Sequence, residues 1–334
     1  MRSRACAGLP LRPTALRDLS HGQWGTVSGG HPTRYGGGMP QSRRYNDDLR
    51  LAHVLADQVD ALTLSRFGAQ DLVVESKPDM TPVTDADRAA EDLIRSQLSH
   101  TRSRDAVLGE ERGASGHSTR QWVLDPIDGT KNFVRGVPVW ATLIGLVEDG
   151  KVVMGVVSAP ALKRRWWAAQ GQGAWTGTSL MRAKRLQVSS VATVGEASLS
   201  YSSLDGWLHH GRGGQFLEMQ SSFWRTRAYG DFWSYMLVAE GAVDVACEPE
   251  LEVHDMAALV PVVTEAGGRF SSLTGQEGPW GGYGLATNGL LHQPVLDALD
   301  WPEEPPGEEV EWFEDQGTDG DGGTDREAQG IHRP

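Results

Sequence analysis

Cysteine is nearly absent from this 334-residue chain. Cys6 and Cys247 are too few for a disulfide framework and lack the CxxC or Cys/His spacing of a zinc site. A reducing, cytoplasmic setting is expected. Long apolar runs are missing as well: the longest, Val152 to Leu162, is interrupted by Gly155, Ser158 and Pro160 and is too short to span a bilayer. The N-terminus has early arginines but neither the apolar stretch nor the cleavage pattern of a secretory signal. Basic charge is also in short supply. With 44 acidic residues against 31 basic ones, a nucleic-acid backbone is a poor partner, and clustered carboxylates suit a bound metal better.

What is present is length enough for about two domain-sized cores. Residues 1–44, rich in Gly, Pro, Arg and Ser, show no sustained period and are expected to be disordered, with Met39 an alternative start to Met1. Residues 301–334 form an acidic Pro/Gly tail of the same physical kind. Between them, Leu51, Leu55, Val59 and Leu62 recur at helical spacing up to Gly68. Thr84 with Asp87 predicts a capping box ahead of a second amphipathic helix through Ala90, Leu93, Ile94 and Leu98. Trp122–Leu124, Ala141–Val147, Lys151–Ser158, Trp166–Ala169 and Gly173–Thr176 read as strands, with Asp149-Gly150 as a hairpin turn. Beyond a boundary near Gln187 the pattern alternates: strand Val194–Tyr201, a helix opening at Asp231, strand Val243–Ala246, and a helix opening at Asp255 and closing at Gly267-Gly268. An α+β half over 45–186 and an α/β half over 187–300 are expected.

The densest chemistry is Asp125-Pro126-Ile127-Asp128-Gly129-Thr130, at the end of an apolar strand. Pro126 fixes φ and has no N–H, so the strand is expected to stop there and throw Asp125 and Asp128 into one tight turn. Carboxylates that close repel, and Mg²⁺ would reconcile them. Gly129 and Thr130 open a segment, Lys131 to Val134, whose amides suit an anionic phosphate. The same string also fits an ordinary Asx-turn between strands. Glu110 and Glu111 stand in a loop after Ala106–Leu108, whereas Asp255, taken alone, reads as the N-cap of the helix that follows it.

Further strings complete a constellation. In order they are Thr81-Pro82-Val83-Thr84-Asp85-Ala86-Asp87 with Glu91; Gly109-Glu110-Glu111; the Asp125 string continued through Lys131-Asn132-Phe133; Gly241-Ala242-Val243-Asp244 with Glu248; and Asp255-Met256-Ala257-Ala258 with Glu265-Ala266-Gly267-Gly268. Together, over about Tyr45 to Leu299, they resemble the inositol monophosphatase superfamily of Mg²⁺-dependent, lithium-sensitive phosphomonoesterases. The resemblance implies a homodimer and a layered αβαβα sandwich. It implies that Glu110, Asp125 and the Ile127 carbonyl hold one Mg²⁺, that Asp125, Asp128 and Asp255 hold a second, and that Asp87 supports a water or a third. Glu110 with the Thr130 hydroxyl would orient the attacking water, and the amides of Gly129 and Thr130 would receive the phosphate, with Asp255 also beside the substrate. Where family members commonly carry Trp before the late aspartate, this chain has His254, expected to pack beneath that turn. Pro261 should kink the helix after Asp255.

The leaving-group side points to a cationic substrate. Arg225-Thr226-Arg227-Ala228-Tyr229-Gly230-Asp231-Phe232-Trp233-Ser234-Tyr235 looks like the histidinol-phosphatase branch of the superfamily, as does Tyr201-Ser202-Ser203-Leu204-Asp205-Gly206-Trp207. Asp231 and Glu248 would pair with an amine or imidazolium, Arg227 would join them at the substrate, and Phe232 or Trp233 would take a flat ring. The alternative assigns Asp231 to an N-cap, and Phe232, Tyr235, Met236 and Ala239 to a core stripe. Hydrolysis of L-histidinol phosphate is the expected activity. An inositol-1-phosphatase or broad sugar phosphatase and a bisphosphate-nucleotide phosphatase are the other enzyme readings. A binding module that keeps the fold without turnover would have no physical need for so much mutual repulsion.

Overall fold

The computed structural model describes residues 44–302 apart from Asp79. The segments expected to be disordered, and the choice between Met1 and Met39, fall outside the described residues except at their inner ends. There, Arg44 pairs with Glu148 at 2.8 Å and Trp301 is buried against Trp207 and Tyr283.

Helix α1 (Asn46–Arg66) opens the fold, burying Leu55 and Val59 as their spacing predicts. The short antiparallel pair β1 (Val74–Ser76) and β2 (Pro82–Thr84) leads into α2 (Asp85–Thr101). Thr84 caps α2: its hydroxyl accepts the Ala86 and Asp87 amides at 3.2 and 3.3 Å, and the Asp87 carboxylate accepts the Thr84 amide at 2.9 Å. Then come β3 (Ala106–Gly109), β4 (Gly113–Ser115), β5 (Arg120–Asp128), the short helix α3 (Thr130–Arg135), β6 (Ala141–Glu148), β7 (Lys151–Ala159), β8 (Arg164–Ala169), β9 (Ala174–Ser179) and β10 (Arg182–Arg185). These strands make an eight-stranded sheet in the order β10-β9-β8-β7-β6-β5-β3-β4, antiparallel except where β3 meets β5. Asp149 and Gly150, at φ 50° and 71°, close the β6–β7 hairpin with the positive dihedrals such a turn requires.

The rest of the chain builds β11 (Ser198–Ser200), α4 (Asp205–His209), α5 (Gly213–Ser221), β12 (Arg225–Arg227), α6 (Asp231–Ala239), β13 (Val245–Glu248), α7 (Val253–Met256), α8 (Leu259–Glu265), β14 (Arg269–Ser271), β15 (Gly284–Thr287) and α9 (His292–Leu299). Its sheet is mixed, in the order β12-β11-β13-β15-β14. Two strands differ from expectation. Val194–Glu196 is a 3₁₀ turn rather than a strand start, because the Glu196 and Ala197 amides turn back onto Thr193 and Val194 carbonyls. The strand expected from Val243 begins at Val245, since Ala242 and Val243 bond back to Leu237 and close off α6.

The layers follow from side-chain alternation. On β5 to β8, Trp122, Leu124, Ile144, Met154, Val156 and Trp167 face α1 and α2, while Leu143, Val157, Trp166 and Ala168 face α6 and α8. Helices α6 and α8 are sandwiched between this sheet and one face of the smaller one, whose other face packs Leu199, Val245, Cys247 and Leu285 against α4, α5 and α9. The result is an α+β fold of five alternating layers. Replacing Gly150 by alanine puts a side chain into open space but at positive φ, so it should cost about 1–2 kcal/mol in urea unfolding with turnover unchanged. A loss of turnover would show that this turn reaches the site.

Candidate active site

Strand β5 does not stop at Pro126; it continues to Asp128 through a bulge. Asp125 pairs with Leu143 and Asp128 with Ala141, so three steps on β5 oppose two on β6. Pro126 has no N–H to give the ladder, and its carbonyl is taken by the Thr142 hydroxyl at 2.8 Å. The bulge matters because residues three apart on a regular strand point to opposite faces. Here one carboxylate oxygen from each of Asp125, Asp128 and Asp255 lies within 4.8 Å of the other two, so the two β5 aspartates converge.

Asp255 comes from the far end of the chain. It is not the N-cap but the third residue of α7: the helix opens at Val253, Glu252 is the cap, and one Asp255 oxygen accepts the Glu252 amide at 2.8 Å. The kink expected from Pro261 is a full break, with Ala257-Ala258 separating α7 from α8; Ala257 is the residue whose carbonyl the proline leaves without a helical partner. His254 lines the cleft, with Nε2 3.6 Å from Asp255.

Glu110 follows β3, its amide bonded to the Leu124 carbonyl at 3.2 Å. The turn is held from behind by Glu91, fully buried, whose carboxylate accepts the Glu111 and Arg112 amides at 2.7 and 3.1 Å. A Cβ on Gly109 would collide with that carboxylate. Lys77 reaches both acids of the turn, 2.6 Å from Glu110 and 2.7 Å from Glu111. Nothing in the isolated Ser-Lys-Pro string marks Lys77 as a site residue; its only signal is that the Thr81–Asp87 string follows it.

Burial, then the negative charges of Glu110, Asp128, Asp255 and Asp87, push the Asp125 carboxyl well above its usual range. Asp128 is raised by burial and then by Asp231 and Asp255, although the Phe232 amide donates to it at 2.7 Å. Asp87 is pushed up to about 6 by burial, against its bonds to Thr84. The Thr130 hydroxyl lies 2.9 Å from the Ile127 carbonyl and 3.3 Å from Asp87. Gly129 adopts φ 85° ahead of α3, and a Cβ there would press on the Val139 carbonyl at 3.0 Å and Asp231 at 3.2 Å. Asp125 Oδ1 is buried without a hydrogen-bond partner among the described residues. An all-oxygen donor set with an orphaned anionic oxygen fits a hard divalent cation, which would supply the missing partner.

Glu110, Asp128, Gly129, Thr130 and Asp255 border a cleft of about 470 Å³ that Ser202, Asp231, Phe232, Tyr235 and Glu248 also line. Asp231 is the first residue of α6, behind a Gly230 cap; its carboxylate does not cap the helix but accepts Asn132 Nδ2 at 2.8 Å. Burial first, then Asp255, push it up to about 6, while Lys131 pulls it down. Glu248, on the last residue of β13, is raised well above its usual range by burial and by Asp231. Arg227 does not join them. It is exposed on the edge strand β12, bonded to the neighbouring Thr226 carbonyl at 2.7 Å, and lines a separate surface hollow with Leu217 and Trp224. Of the two aromatics, Phe232 borders the cleft but is buried against Trp166, and Trp233 packs on Tyr229 away from it. Phe232 and Tyr235 thus serve the core stripe and edge the cleft together.

Without metal, this arrangement opposes folding as pH rises. The folded carboxyls of Asp87 and Asp231 titrate near 6, above their ordinary 3.8, so between those values the unfolded chain gives up protons that the folded chain keeps. Stability from this source is therefore present below about pH 4 and lost as pH passes about 6. Thermal unfolding should give a Mg²⁺-minus-EDTA difference in Tm that grows across this window; a difference that shrinks would contradict it.

The Inositol monophosphatase family description matches residues 46–300 of the chain. A histidinol-phosphatase of Streptomyces coelicolor is 60% identical over 259 residues, covering 76% of this chain and 97% of that protein. A histidinol-phosphatase of Mycobacterium tuberculosis is likewise 60% identical, over 76% of this chain and 98% of its own length. Among solved structures, an inositol monophosphatase from Zymomonas mobilis superposes with a TM-score of 0.68 at 33% identity, covering 77% of this chain and 99% of that one. With its carboxylates gathered around a bulged strand and a broken helix, the chain belongs to the inositol monophosphatase family of phosphomonoesterases.

Proposed function

We propose that the chain hydrolyses L-histidinol phosphate to L-histidinol and inorganic phosphate, with Mg²⁺ held by Glu110, Asp125, the Ile127 carbonyl, Asp128 and Asp255. The observation that carries the substrate is the negative wall of the cleft, which Lys131 offsets only in part. Asp231 and Glu248 are both raised by burial and by neighbouring anions, so an ester bearing an ammonium or imidazolium relieves them, whereas an uncharged polyol leaves their repulsion in place. Two relatives at 60% identity that are histidinol-phosphatases support the same choice.

In this reading the ester's phosphate docks on the amides of Gly129 and Thr130, where Gly129's positive φ turns the backbone toward the cleft. Mg²⁺, when bound, neutralises charge on the phosphate and makes water more acidic. Thr130 and Glu110 orient the attacking water. The Thr130 hydroxyl is itself fixed by the Ile127 carbonyl and Asp87, and Glu110 is steadied by Lys77. His254, beside Asp255, stands where a neutral ring tolerates the metal and a charged one opposes it. The division of labour assigns the phosphate and most metal ligands to the half over 45–186, and the leaving group, with the metal ligand Asp255, to the half over 187–300. No described helix is long and apolar enough to cross a membrane. We read the working form as a cytoplasmic homodimer acting on a small phosphorylated substrate, with two Mg²⁺ per subunit and Asp87 supporting a third.

Phosphate release with Mg²⁺ from histidinol phosphate, inositol 1-phosphate, fructose 1,6-bisphosphate and 3'-phosphoadenosine 5'-phosphate should give the highest kcat/KM for the first; a preference for inositol 1-phosphate sinks the assignment. Asp128→Asn should reduce turnover to background. Glu248→Gln should raise KM for histidinol phosphate about tenfold, or ~1.4 kcal/mol, with a smaller change for inositol 1-phosphate. An equal change for both esters would remove Glu248 from cation recognition.

A further inference from the structure

Asp125 and Asp128 share a strand, but Asp255 reaches them only if α7 and α8 sit at one height above the large sheet. We infer that Gly155, with its cross-strand partner Gly145, is the notch that sets this height and so positions Asp255 for metal binding. This rests on the metal reading above.

Gly145 and Gly155 face each other across β6 and β7, on the side of the sheet that carries α8. Neither has a positive φ, so conformational freedom does not explain them; what explains them is space. A Cβ on Gly155 would lie 2.8 Å from the Ala258 carbonyl carbon and 2.8 Å from Pro261 Cγ, and closer still to the Ala258 oxygen. A Cβ on Gly145 would lie 3.0 Å from the Ala257 Cβ and 3.2 Å from the Ala258 amide. The Ala257-Ala258 break is thus the part of the chain that descends into the notch. Both alanines are buried, and Ala257 packs on Val123 and Val147 of β5 and β6.

The leverage is short. Asp255 stands three residues before Ala258, within one helical turn. Carbon atoms in contact need about 3.5 Å, so a methyl on Gly155 forces the Ala258 backbone outward by at least about 0.7 Å, the nearer carbonyl oxygen demanding more. Mg²⁺ requires ligands at about 2.0–2.1 Å in near-octahedral array. A displacement of that size takes the Asp255 oxygen out of reach while leaving Asp125 and Asp128 in place. The obstacle in Gly155→Ala is backbone, which cannot rotate away; in Gly145→Ala it is milder, so the two substitutions form a graded pair.

The test is magnesium titration by calorimetry of the full chain, its Gly155→Ala and Gly145→Ala variants, and Gly195→Ala, whose added Cβ meets nothing within 4 Å. Circular dichroism and Tm in EDTA report folding separately. The expected result is Mg²⁺ affinity lowered at least tenfold in Gly155→Ala and several-fold in Gly145→Ala, with Gly195→Ala unchanged. Folded variants that lose Tm but bind Mg²⁺ like the parent would reduce the notch to a packing feature and overturn the inference. If Gly155→Ala does not fold, Gly145→Ala decides alone: parent-like affinity overturns the inference and weakened affinity supports it. A parent chain that takes up no magnesium would instead overturn the metal reading itself.

Discussion

The constraint on which the structure depends is the repulsion among carboxylates crowded at the end of β5. Asp125, buried, and Asp128 and Asp255, at the edge of the cleft, bring oxygens within 4.8 Å of one another, and Glu110, Asp87 and Asp231 add charge around them. Such a cluster opposes folding unless protons or cations neutralise it. Lys77 answers part of the demand by bridging Glu110 and Glu111, but it does not reach the three aspartates, of which Asp255 has the His254 ring 3.6 Å away. The hydrophobic layers on both faces of the large sheet hold these groups together against that repulsion.

Each acid is held by a device of its own. Asp125 and Asp128 owe their common direction to a bulge at Pro126. Glu110 owes its place to Glu91, which takes two amides of the next turn and requires glycine at position 109. Asp255 owes its place to a helix broken at Ala257-Ala258 over glycine-lined strands. Asp87 serves twice, as the reciprocal partner in the α2 capping box and as an acceptor for Thr130.

The substrate wall extends the same electrostatic logic into specificity. Burial raises both Asp231 and Glu248, and Asp231 lies close enough to Glu248 to raise it further. Asn132 supplies Asp231 with a hydrogen bond but no charge. A ligand that brings positive charge gains from both, which separates cationic esters from polyol phosphates more sharply than shape alone can.

The amphipathic helices α1 and α2, the Thr84 capping box, the Asp149-Gly150 hairpin and the order of the acidic strings were all legible in the sequence, because each rests on neighbours along the chain. So was the family, because the strings recur in one order. Contacts across the chain decided the rest. The exposure of Arg227, the role of Asp231 as something other than a cap, the reach of Lys77 to Glu110 and the turn of His254 into the cleft depend on which elements pack together. The bulge that aligns Asp125 with Asp128 arises from pairing with β6 and has no signature in the string itself. Local periodicity and capping are set by interactions a few residues long, whereas the burial, charge and direction of a site group are set by partners a hundred residues away.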